Sequence, residues 1–425
     1  MIDEPTKLGI IVGGGPAPGI NGVIHSATIT AVTNGLEVVG IYEGFKYLME
    51  GELVGTPLTI DKVSRIYRDG GSILHTSRAN PTRKKEWLGK CVSALIDAGV
   101  SYLVAIGGDD TAFSAYSVAR HAYEQMGVKI RTVHVPKTID NDLPLPEDIR
   151  TFGFETAREL GTRLVMNIME DALTGQRWFL VVSMGRKAGH LALGIGKSSG
   201  ATVTLIPEEW TGRDIRLQEV TDILATSIIK RLASGKHYGV AIVAEGVVEQ
   251  MSPEDLNELE NVERDDHGHI RLSEINFSDI LKKSLRTELE QLGIKMRMVS
   301  KDLGYELRCA DPLAFDIDYT RSLGSAAVEY LLQGGSDATI SVQQNQVVPI
   351  PFSQMMDPQT GRTEVRTVNV ESLTYRSAYN FMIRLKPHNA DDDVLLARMA
   401  AQTNLTLDEF KSRFGYLIGI APRPF

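Results

Sequence analysis

The chain of 425 residues is long enough for two domains or one large α/β unit. Its 43% hydrophobic and 23% charged residues are ordinary for a soluble globular protein, and its net charge of −9 argues against a nucleic-acid-binding protein, which usually presents a basic face. An apolar run of about 18 residues and a secretion signal are both missing, so we expect no membrane span and a cytoplasmic location. We expect Cys91 and Cys309 each to be a buried or cleft-lining thiol and not part of a disulfide.

In the first part of the chain, short apolar runs alternate with helical patterns. These runs predict strands at residues 7–13, 36–42, 102–106 and 130–135. The helical patterns predict helices that end near residue 34 or span residues 83–98 and 111–126. Because strands and helices alternate, we predict a mostly parallel sheet covered by helices on both faces.

After residue 150 the same pattern begins again, which predicts a second α/β system. Strands are predicted at residues 178–183, 202–206 and 238–244, and helices at residues 156–173, at residues 188–199 and ending near Ser234. We interpret residues 249–269, with His267 and His269, as a solvated acidic insertion. Residues 319–350 add a helix and two short strands, and residues 390–425 add two short helices, one of them capped by Thr406.

A glycine-rich turn, GGGPAPGIN at residues 13–21, follows the first predicted strand. It is neither a dinucleotide-binding fingerprint, because Pro18 interrupts the spacing, nor a P-loop. Backbone amides before a helix can still bind phosphate, so phosphate binding and a tight structural turn both stay open. A glycine-lysine-serine sequence at residues 196–198 has Leu191 where a P-loop needs glycine, so we predict a structural role for it.

The sequence GGDDT at residues 107–111 places two carboxylates side by side at the end of a predicted strand. Adjacent like charges cost stability unless something binds or separates them. One of them can hold Mg²⁺, directly or through water. The alternative is that Asp109 or Asp110 simply caps the helix that follows.

The sequence PKTIDND at residues 136–142 also follows a predicted strand. Phosphoryl transfer needs a base that deprotonates the attacking hydroxyl and cations that spread charge off the phosphates. Asp140 can be the base and Lys137 the cation. The alternative is a turn rich in Asp and Asn without a catalytic role.

Further polar groups follow other predicted strands. Met184-Gly185-Arg186 and Glu245 stand directly after strands, Tyr305 and Arg308 come later in the chain, and Arg177 precedes a strand. Arginine binds phosphate through paired hydrogen bonds, and glutamate accepts hydrogen bonds from sugar hydroxyls. In open α/β sheets ligands bind at the carboxyl ends of strands, so the shared position of these residues is informative.

Together, GGGPAPGIN, SRANP at residues 77–81, GGDDT, PKTIDND, MGR and AEG resemble the 6-phosphofructokinase family, from about residue 8 to residue 333. The resemblance implies two Rossmann-like three-layer α/β/α domains with an active-site cleft between them. We expect a donor- and Mg²⁺-binding domain at residues 1–150, completed by residues 310–370. A sugar-phosphate-binding domain would occupy residues 151–309, and a helical extension residues 371–425.

The resemblance also implies a role for each matching residue. Asp140 would be the base, acting with Lys137, Asp110 and Arg186, and Asp109 would bind Mg²⁺. The phosphoryl donor would contact Gly14, Arg78, Gly108, Asp110 and Lys137. Fructose 6-phosphate would contact Thr138, Ile139, Asp140, Arg177, Met184, Gly185, Arg186, Glu245, Tyr305 and Arg308. Arg177 would reach a neighbouring subunit's site, which implies a homodimer or homotetramer.

Asp110 and Lys137 bear on the choice of donor. ATP-using members of the family have glycine at both points, whereas the pyrophosphate-dependent members have Asp and Lys. A carboxylate where the α-phosphate of ATP would lie repels it, and Lys137 can neutralise that carboxylate while stabilising charge on pyrophosphate. We therefore expect reversible, Mg²⁺-dependent transfer from pyrophosphate to the 1-hydroxyl of fructose 6-phosphate.

Three alternative functions are an ATP-dependent 6-phosphofructokinase, a catalytically silent regulatory subunit that binds sugar phosphates, and a NAD or lipid kinase. The chain also departs from the family pattern. Arg308 is followed by Cys309 and Ala310 instead of two glycines, and Pro16 replaces a common Asp. Arg297 is a candidate for the extra arginine of the sugar-phosphate site.

Overall fold

The computed structural model describes residues 7–258, 276–356 and 363–420, without the side chains of 257 and 258. His267, His269 and most of the predicted acidic insertion lie outside these residues. The chain divides into two compact units. The first comprises Met1–Ala157 and Tyr305–Arg366, and the second comprises Arg158–Gly304 and Thr367–Phe425.

Strands and α-helices alternate through most of the described chain. The strands are β1 (Lys7–Val12), β2 (Glu37–Ile41), β3 (Gly55–Pro57), β4 (Val100–Gly107), β5 (Arg131–Pro136), β6 (Trp178–Ser183), β7 (Val203–Leu205), β8 (Gly239–Ala244), β9 (Met298–Leu303), β10 (Ala338–Gln343) and β11 (Gln346–Pro351). The helices are α1 (Ile20–Thr33), α2 (Ile60–Val63), α3 (Lys85–Asp97), α4 (Asp109–Met126), α5 (Phe154–Gly175), α6 (His190–Ser199), α7 (Leu217–Leu232), α8 (Gly246–Glu249), α9 (Pro253–Glu258), α10 (Phe277–Gln291), α11 (Tyr305–Arg308), α12 (Ala314–Leu332), α13 (Phe352–Met355), α14 (Leu373–Phe381), α15 (Asp393–Ala400) and α16 (Leu407–Phe414). Within the described ranges, none of these helices has the length and apolar character that a membrane crossing requires.

The first unit is built on a seven-stranded sheet in the order β11-β10-β5-β4-β1-β2-β3. The five central strands are parallel, and the edge strands β11 and β3 pair antiparallel with their neighbours. The chain runs from β1 to β2 in one direction and from β4 to β5 in the other, so the strand order reverses between β1 and β4. Ligands bind at such reversal points in open α/β sheets.

Alternate residues of the central strands pack on opposite faces of this sheet. Ile10 and Val104 lie in a core shared with α1 and α12, whereas Ile11 and Leu103 lie in a core shared with α3. This period of two is what a strand requires when both faces are covered. The unit therefore has the three layers, helices on sheet on helices, that the sequence predicts.

The second unit is built on a four-stranded parallel sheet in the order β7-β8-β6-β9. Every residue of β6 and β8 is buried, as expected for central parallel strands. The sequence analysis did not predict β9, because Ser300, Lys301 and Asp302 interrupt its apolar pattern. β9 is an edge strand, where polar residues can face water.

The C-terminal segment belongs to the second unit, whereas the sequence analysis separated residues 371–425 as an extension. The backbone amide of Ile383 donates to the carbonyl of Thr202, 2.8 Å away. The guanidinium of Arg384 lies 2.7 Å from the carboxylate of Glu209, and both side chains are buried. Breaking a buried ion pair leaves an uncompensated charge, so this contact keeps the segment against the unit.

Other local predictions are confirmed. The glycine-lysine-serine sequence lies inside α6, where a side chain on Gly196 would meet Thr204 at 2.0 Å, so this glycine serves helix-strand packing. Thr406 caps α16 in a reciprocal capping box with Glu409. Both cysteines are free thiols, and Cys91 is buried whereas Cys309 is exposed.

Candidate active site

The first glycine turn follows β1 and is joined to a distant part of the chain. The backbone amide of Gly14, which has a φ of +80°, donates to the carbonyl of Ser77 at 2.8 Å, and Gly13 and Ser77 form an isolated parallel bridge. A positive φ of this kind suits glycine. Arg78, which follows Ser77 directly, is exposed and therefore lies in the segment that pairs with the glycine turn.

One side chain fills the space at the ends of β1 and β4. A Cβ atom built on Gly13 would lie 2.3 Å from the hydroxyl oxygen of Thr111, and a Cβ atom on Gly107 would lie at the same distance from it. Both glycines are therefore required because Thr111 occupies the position that a side chain would take. The GGGPAPGIN and GGDDT motifs thus meet around a single residue.

The two adjacent carboxylates lie in the first turn of α4. This helix begins at Asp109, and its N-cap is Gly108, which has no side chain to make a capping hydrogen bond. The N-cap position is therefore occupied by Gly108 and not by Asp109 or Asp110. Each carboxylate is stabilised by the helix dipole by about 0.3–1 kcal/mol, which offsets part of their mutual repulsion. Asp109 is half-buried and Asp110 is exposed.

Lys137 connects the loop after β5 to both glycine turns. Its backbone amide donates to the carbonyl of Gly107 at 2.8 Å, and its ammonium group donates to the carbonyl of Gly15. The side chain is only 4% exposed. The cation therefore lies where the two turns meet, and its predicted pairing with Asp110 stays a prediction.

Asp140 is held in a tight turn of the same loop. Its backbone amide donates to the hydroxyl of Thr138 at 3.0 Å, and the hydroxyl of Thr151 donates to the carbonyl of Thr138 at 2.7 Å. Asp140 is 7% exposed, and the neighbouring Ile139 is buried. The next residue, Asn141, has a φ of +56°, which is uncommon for a residue other than glycine.

His134 supports this arrangement from inside the sheet, and the sequence analysis did not select it. Its Nε2 atom lies 2.8 Å from the carbonyl of Gly107, so Nε2 carries a hydrogen, and Nδ1 lies 3.0 Å from the hydroxyl of Thr339. Burial lowers the pKa of His134 to about 4, so the ring is neutral at pH 7. A lone histidine within an apolar strand offers no sequence signal that distinguishes this role from packing.

Tyr305 and Arg308 belong to the first unit, with the glycine turns. A Cβ atom on Gly15 would lie 2.6 Å from an Nη2 atom of Arg308, and the guanidinium stands 5.2 Å from the centre of the Tyr305 ring. Tyr305 is 66% exposed, so its ring is accessible at the surface of the unit. Arg308 therefore adds a second cation beside the first glycine turn.

In the second unit, Glu245 shapes the MGR turn after β6. Its Oε1 atom accepts hydrogen bonds from the backbone amides of Gly185 at 3.0 Å and Arg186 at 2.7 Å. Arg186 has a φ of +49° and an exposed side chain. The amide of Met184 donates to the carbonyl of Leu303 in the neighbouring strand. A carboxylate from the end of β8 thus fixes the backbone that presents Arg186.

Arg177 stands at the surface of the second unit, just before β6. Its Nε atom donates to Asp171 at 2.8 Å, and its guanidinium lies 5.5 Å from the centre of the Phe179 ring. Arg297, the candidate extra arginine, is exposed and accepts a backbone hydrogen bond from Trp178 at 2.9 Å.

The described side chains fit a magnesium ion that is bound mainly through a substrate. Within residues 7–258, 276–356 and 363–420, three or more His, Cys, Asp or Glu side chains do not gather into a metal-binding group. Mg²⁺ usually uses one or two carboxylates and completes its shell with water and substrate phosphates. Asp109, half-buried at the start of a helix, suits this kind of site.

Comparisons with known proteins identify the family. The phosphofructokinase family matches residues 7–331. The curated pyrophosphate–fructose 6-phosphate 1-phosphotransferase of Thermotoga maritima is 50% identical over 414 residues, which cover 96% of this chain and 98% of that protein. The chain therefore belongs to the phosphofructokinase family.

Solved structures agree on the fold. A pyrophosphate-dependent phosphofructokinase from Marinobacter aquaeolei matches with a TM-score of 0.67 and 17% identity, over 99% of this chain and 93% of that one. The phosphofructokinase of Saccharomyces cerevisiae matches with a TM-score of 0.65 and 21% identity, over 96% of this chain and 50% of that one. The chain thus spans about half the length of the yeast chain. The predicted family and fold class are confirmed.

The space around Thr111 can be tested with a pair of double-mutant cycles. Gly13→Ala and Gly107→Ala should each cost about 1–3 kcal/mol through overpacking. Thr111→Ala should reduce the stability cost of Gly13→Ala, because only the Cβ atom of residue 111 would remain, 3.2 Å from the new methyl group. It should not reduce the cost of Gly107→Ala, where the Cβ of Thr111 itself lies at 2.4 Å. Equal coupling energies from denaturant unfolding would contradict this packing.

The neutral state of His134 makes stability depend on pH. Its folded pKa of about 4 lies below the ordinary 6.5, so the unfolded chain binds a proton first as the pH falls. Stability should be highest above pH 6.5 and fall by on the order of 3 kcal/mol towards pH 4. His134→Gln, which keeps a donor but does not titrate, should remove this part of the pH dependence in urea unfolding. An unchanged slope in the variant would rule out His134 as its source.

Proposed function

We propose that this protein reversibly transfers a phosphoryl group from pyrophosphate to the 1-hydroxyl of fructose 6-phosphate, giving fructose 1,6-bisphosphate and phosphate. The observation that carries the proposal is the loop after β5, where the buried cation Lys137 is hydrogen-bonded to two glycine turns and the buried carboxylate Asp140 follows three residues later. The 50% identical relative from Thermotoga maritima is named for this reaction, which supports the same assignment.

Asp140 acts as the base in the proposed reaction. It accepts the proton of the 1-hydroxyl while the new oxygen–phosphorus bond forms and the bond from that phosphorus to the bridging oxygen of pyrophosphate breaks. The leaving phosphate keeps the bridging oxygen and its electron pair. Transfer is direct and in line, without a phosphoenzyme. Lys137 and Arg186 stabilise the negative charge that spreads over the phosphoryl oxygens.

Mg²⁺ is the proposed cofactor, and Asp109 is the residue that would hold it. When bound, the ion neutralises charge on the pyrophosphate oxygens. The phosphates of the donor contact Gly14 and Gly108, because glycine lets a ligand approach the backbone closely. They also contact the exposed side chain of Arg78.

The sugar phosphate is the proposed ligand of the second set of residues. Met184, Gly185 and Arg186 contact fructose 6-phosphate, while Oε2 of Glu245 accepts a hydrogen bond from a sugar hydroxyl. The other proposed contacts are Thr138, Ile139, Tyr305 and Arg308, with the last two on the 6-phosphate. Arg177 of a second copy completes the site, so the enzyme is a homodimer or homotetramer.

Asp110 is the proposed basis of donor choice. It is exposed in the first turn of α4, one residue beyond the proposed Mg²⁺ ligand. A carboxylate at this point repels the α-phosphate of a nucleotide, whereas pyrophosphate has no third phosphate to meet it.

The base assignment predicts the effect of Asp140→Ala. Turnover with pyrophosphate should fall by about 10²–10⁴-fold, because the variant lacks the carboxylate that takes the proton of the attacking hydroxyl. Initial rates and the unfolding midpoint should be measured together, with Glu124→Gln as a control that removes an exposed charge from the same unit. Unchanged turnover in a folded Asp140→Ala protein would overturn the assignment.

The donor assignment predicts that the protein makes fructose 1,6-bisphosphate from pyrophosphate and not from ATP. The carboxylate of Asp110 is the group that repels ATP. The double variant Asp110→Gly with Lys137→Gly lacks it and should therefore gain turnover with ATP. Asp110→Asn keeps the bulk without the charge and separates electrostatic from steric exclusion. The assay follows product with each donor at saturating fructose 6-phosphate and Mg²⁺.

Turnover of the wild type with ATP alone would contradict the donor assignment while leaving the base in place. A double variant that does not bind ATP at all would contradict the account of donor choice. Turnover with neither donor would contradict the proposed reaction.

A further inference from the structure

The loop that carries Asp140 has little regular structure of its own. Residues 138–151 lie outside the helices and strands between β5 and α5, although Ile139, Asp140 and Asn141 are buried. Buried backbone carbonyls need hydrogen-bond donors, and a segment without helix or strand must receive them from elsewhere.

A single side chain supplies many of these donors. Arg366 donates through Nε and Nη2 to the carbonyl of Asn141, at 3.1 Å and 3.0 Å, and through Nη2 to the Asn141 side-chain oxygen at 2.5 Å. Its Nη1 atom donates to the carbonyls of Leu145 at 3.1 Å, Pro146 at 2.9 Å and Ile149 at 2.7 Å. Its backbone amide also donates to the carbonyl of Asp142 at 2.8 Å.

These six hydrogen bonds go to backbone and side-chain amide oxygens, so they depend on the geometry of the guanidinium. Burial lowers the pKa of Arg366 to about 10, which leaves the guanidinium charged at neutral pH. Its donors are arranged in a rigid planar fork that can reach carbonyls in several directions. The ammonium of lysine is a single point with three donors and cannot reproduce this set.

The contacts centre on the residue that follows the proposed base. Asn141 is 1% exposed and has a φ of +56°, a conformation that needs support from its surroundings. Its side-chain oxygen accepts from Arg366 and also from the amide of Thr151 at 3.1 Å. Arg366 holds the carbonyl and the side chain of Asn141 at the same time, so the whole residue is fixed. Because Asn141 follows Asp140 directly in the chain, a fixed Asn141 limits the directions in which Asp140 can point.

We propose that Arg366 is a positioning residue for phosphoryl transfer, which acts by fixing the Asn141 backbone so that Asp140 stays aligned with the attacking hydroxyl. The proposal rests on the proposed function above. In this role Arg366 acts through Asn141 and not through a contact with a substrate. Loss of its fork should therefore lower kcat, because small misplacements of a catalytic group cost about 10²-fold in rate.

The test compares Arg366→Met and Arg366→Lys in the full-length protein. Both should lower kcat by about 10–10²-fold while the KM values for pyrophosphate and fructose 6-phosphate stay within about threefold. Arg366→Lys should not restore the rate, because it keeps the charge without the fork. Wild-type kcat in Arg366→Lys, or a rise in KM at constant kcat, would overturn the proposal.

Two controls separate positioning from a general loss of stability. Arg120→Met makes the same chemical change at an exposed site on α4 and should leave kcat unchanged. Leu331→Ala truncates a buried core side chain near the end of α12 and should lower the unfolding midpoint with kcat unchanged. If Leu331→Ala lowers kcat as much as the Arg366 variants do at a similar loss of unfolding midpoint, loss of stability explains the effect and the proposal fails.

Hydrogen exchange gives a readout that does not depend on activity. Peptides covering residues 137–151 should exchange faster in Arg366→Met and at the wild-type rate in Leu331→Ala. Unchanged exchange of these peptides in Arg366→Met would overturn the proposal. Absent turnover in the wild type would contradict the proposed function, whereas normal wild-type turnover with unchanged kcat in both variants would contradict only the role of Arg366.

Discussion

The arrangement of the first unit depends on the hydrogen bonds that the carbonyl oxygen of Gly107 accepts. This oxygen accepts hydrogen bonds from the amide of Lys137 and from Nε2 of His134, each at 2.8 Å, and so joins the ends of β4 and β5. Asp109 follows Gly107 by two residues, and Asp140 follows Lys137 by three. This one oxygen therefore sets the spacing between the proposed metal ligand, the cation and the base.

Local electrostatics allow an acidic protein to bind highly charged anions. The net charge of −9 is spread over the chain, while Lys137, Arg308 and Arg78 accompany the glycine turns of the first unit. A binding region can have a potential opposite to that of the whole protein. The dipole of α4 offsets part of the repulsion between Asp109 and Asp110, which lie in its first turn.

Each unit uses a charged side chain to hold irregular backbone. Glu245 accepts from two successive amides of the MGR turn in the second unit, and Arg366 donates to several carbonyls of the Asp140 loop in the first. A carboxylate accepts hydrogen bonds from backbone amides that have no partner within the turn. A guanidinium donates hydrogen bonds to backbone carbonyls in the same situation. In the second unit, the buried ion pair between Arg384 and Glu209 holds the C-terminal segment in its position.

The sequence by itself determined the α/β class, most strands and helices, and the glycine turns, because these depend on local apolar period and on residues close in the chain. It did not determine β9, because polar residues interrupt the apolar pattern of this edge strand. Nor did it determine that the C-terminal segment belongs to the second unit. Only the structure placed Gly108 at the N-cap of α4 and brought Arg366 to Asn141, 225 residues away in the chain. Such contacts join distant parts of the chain, and neither composition nor spacing records which donor a buried carbonyl will find.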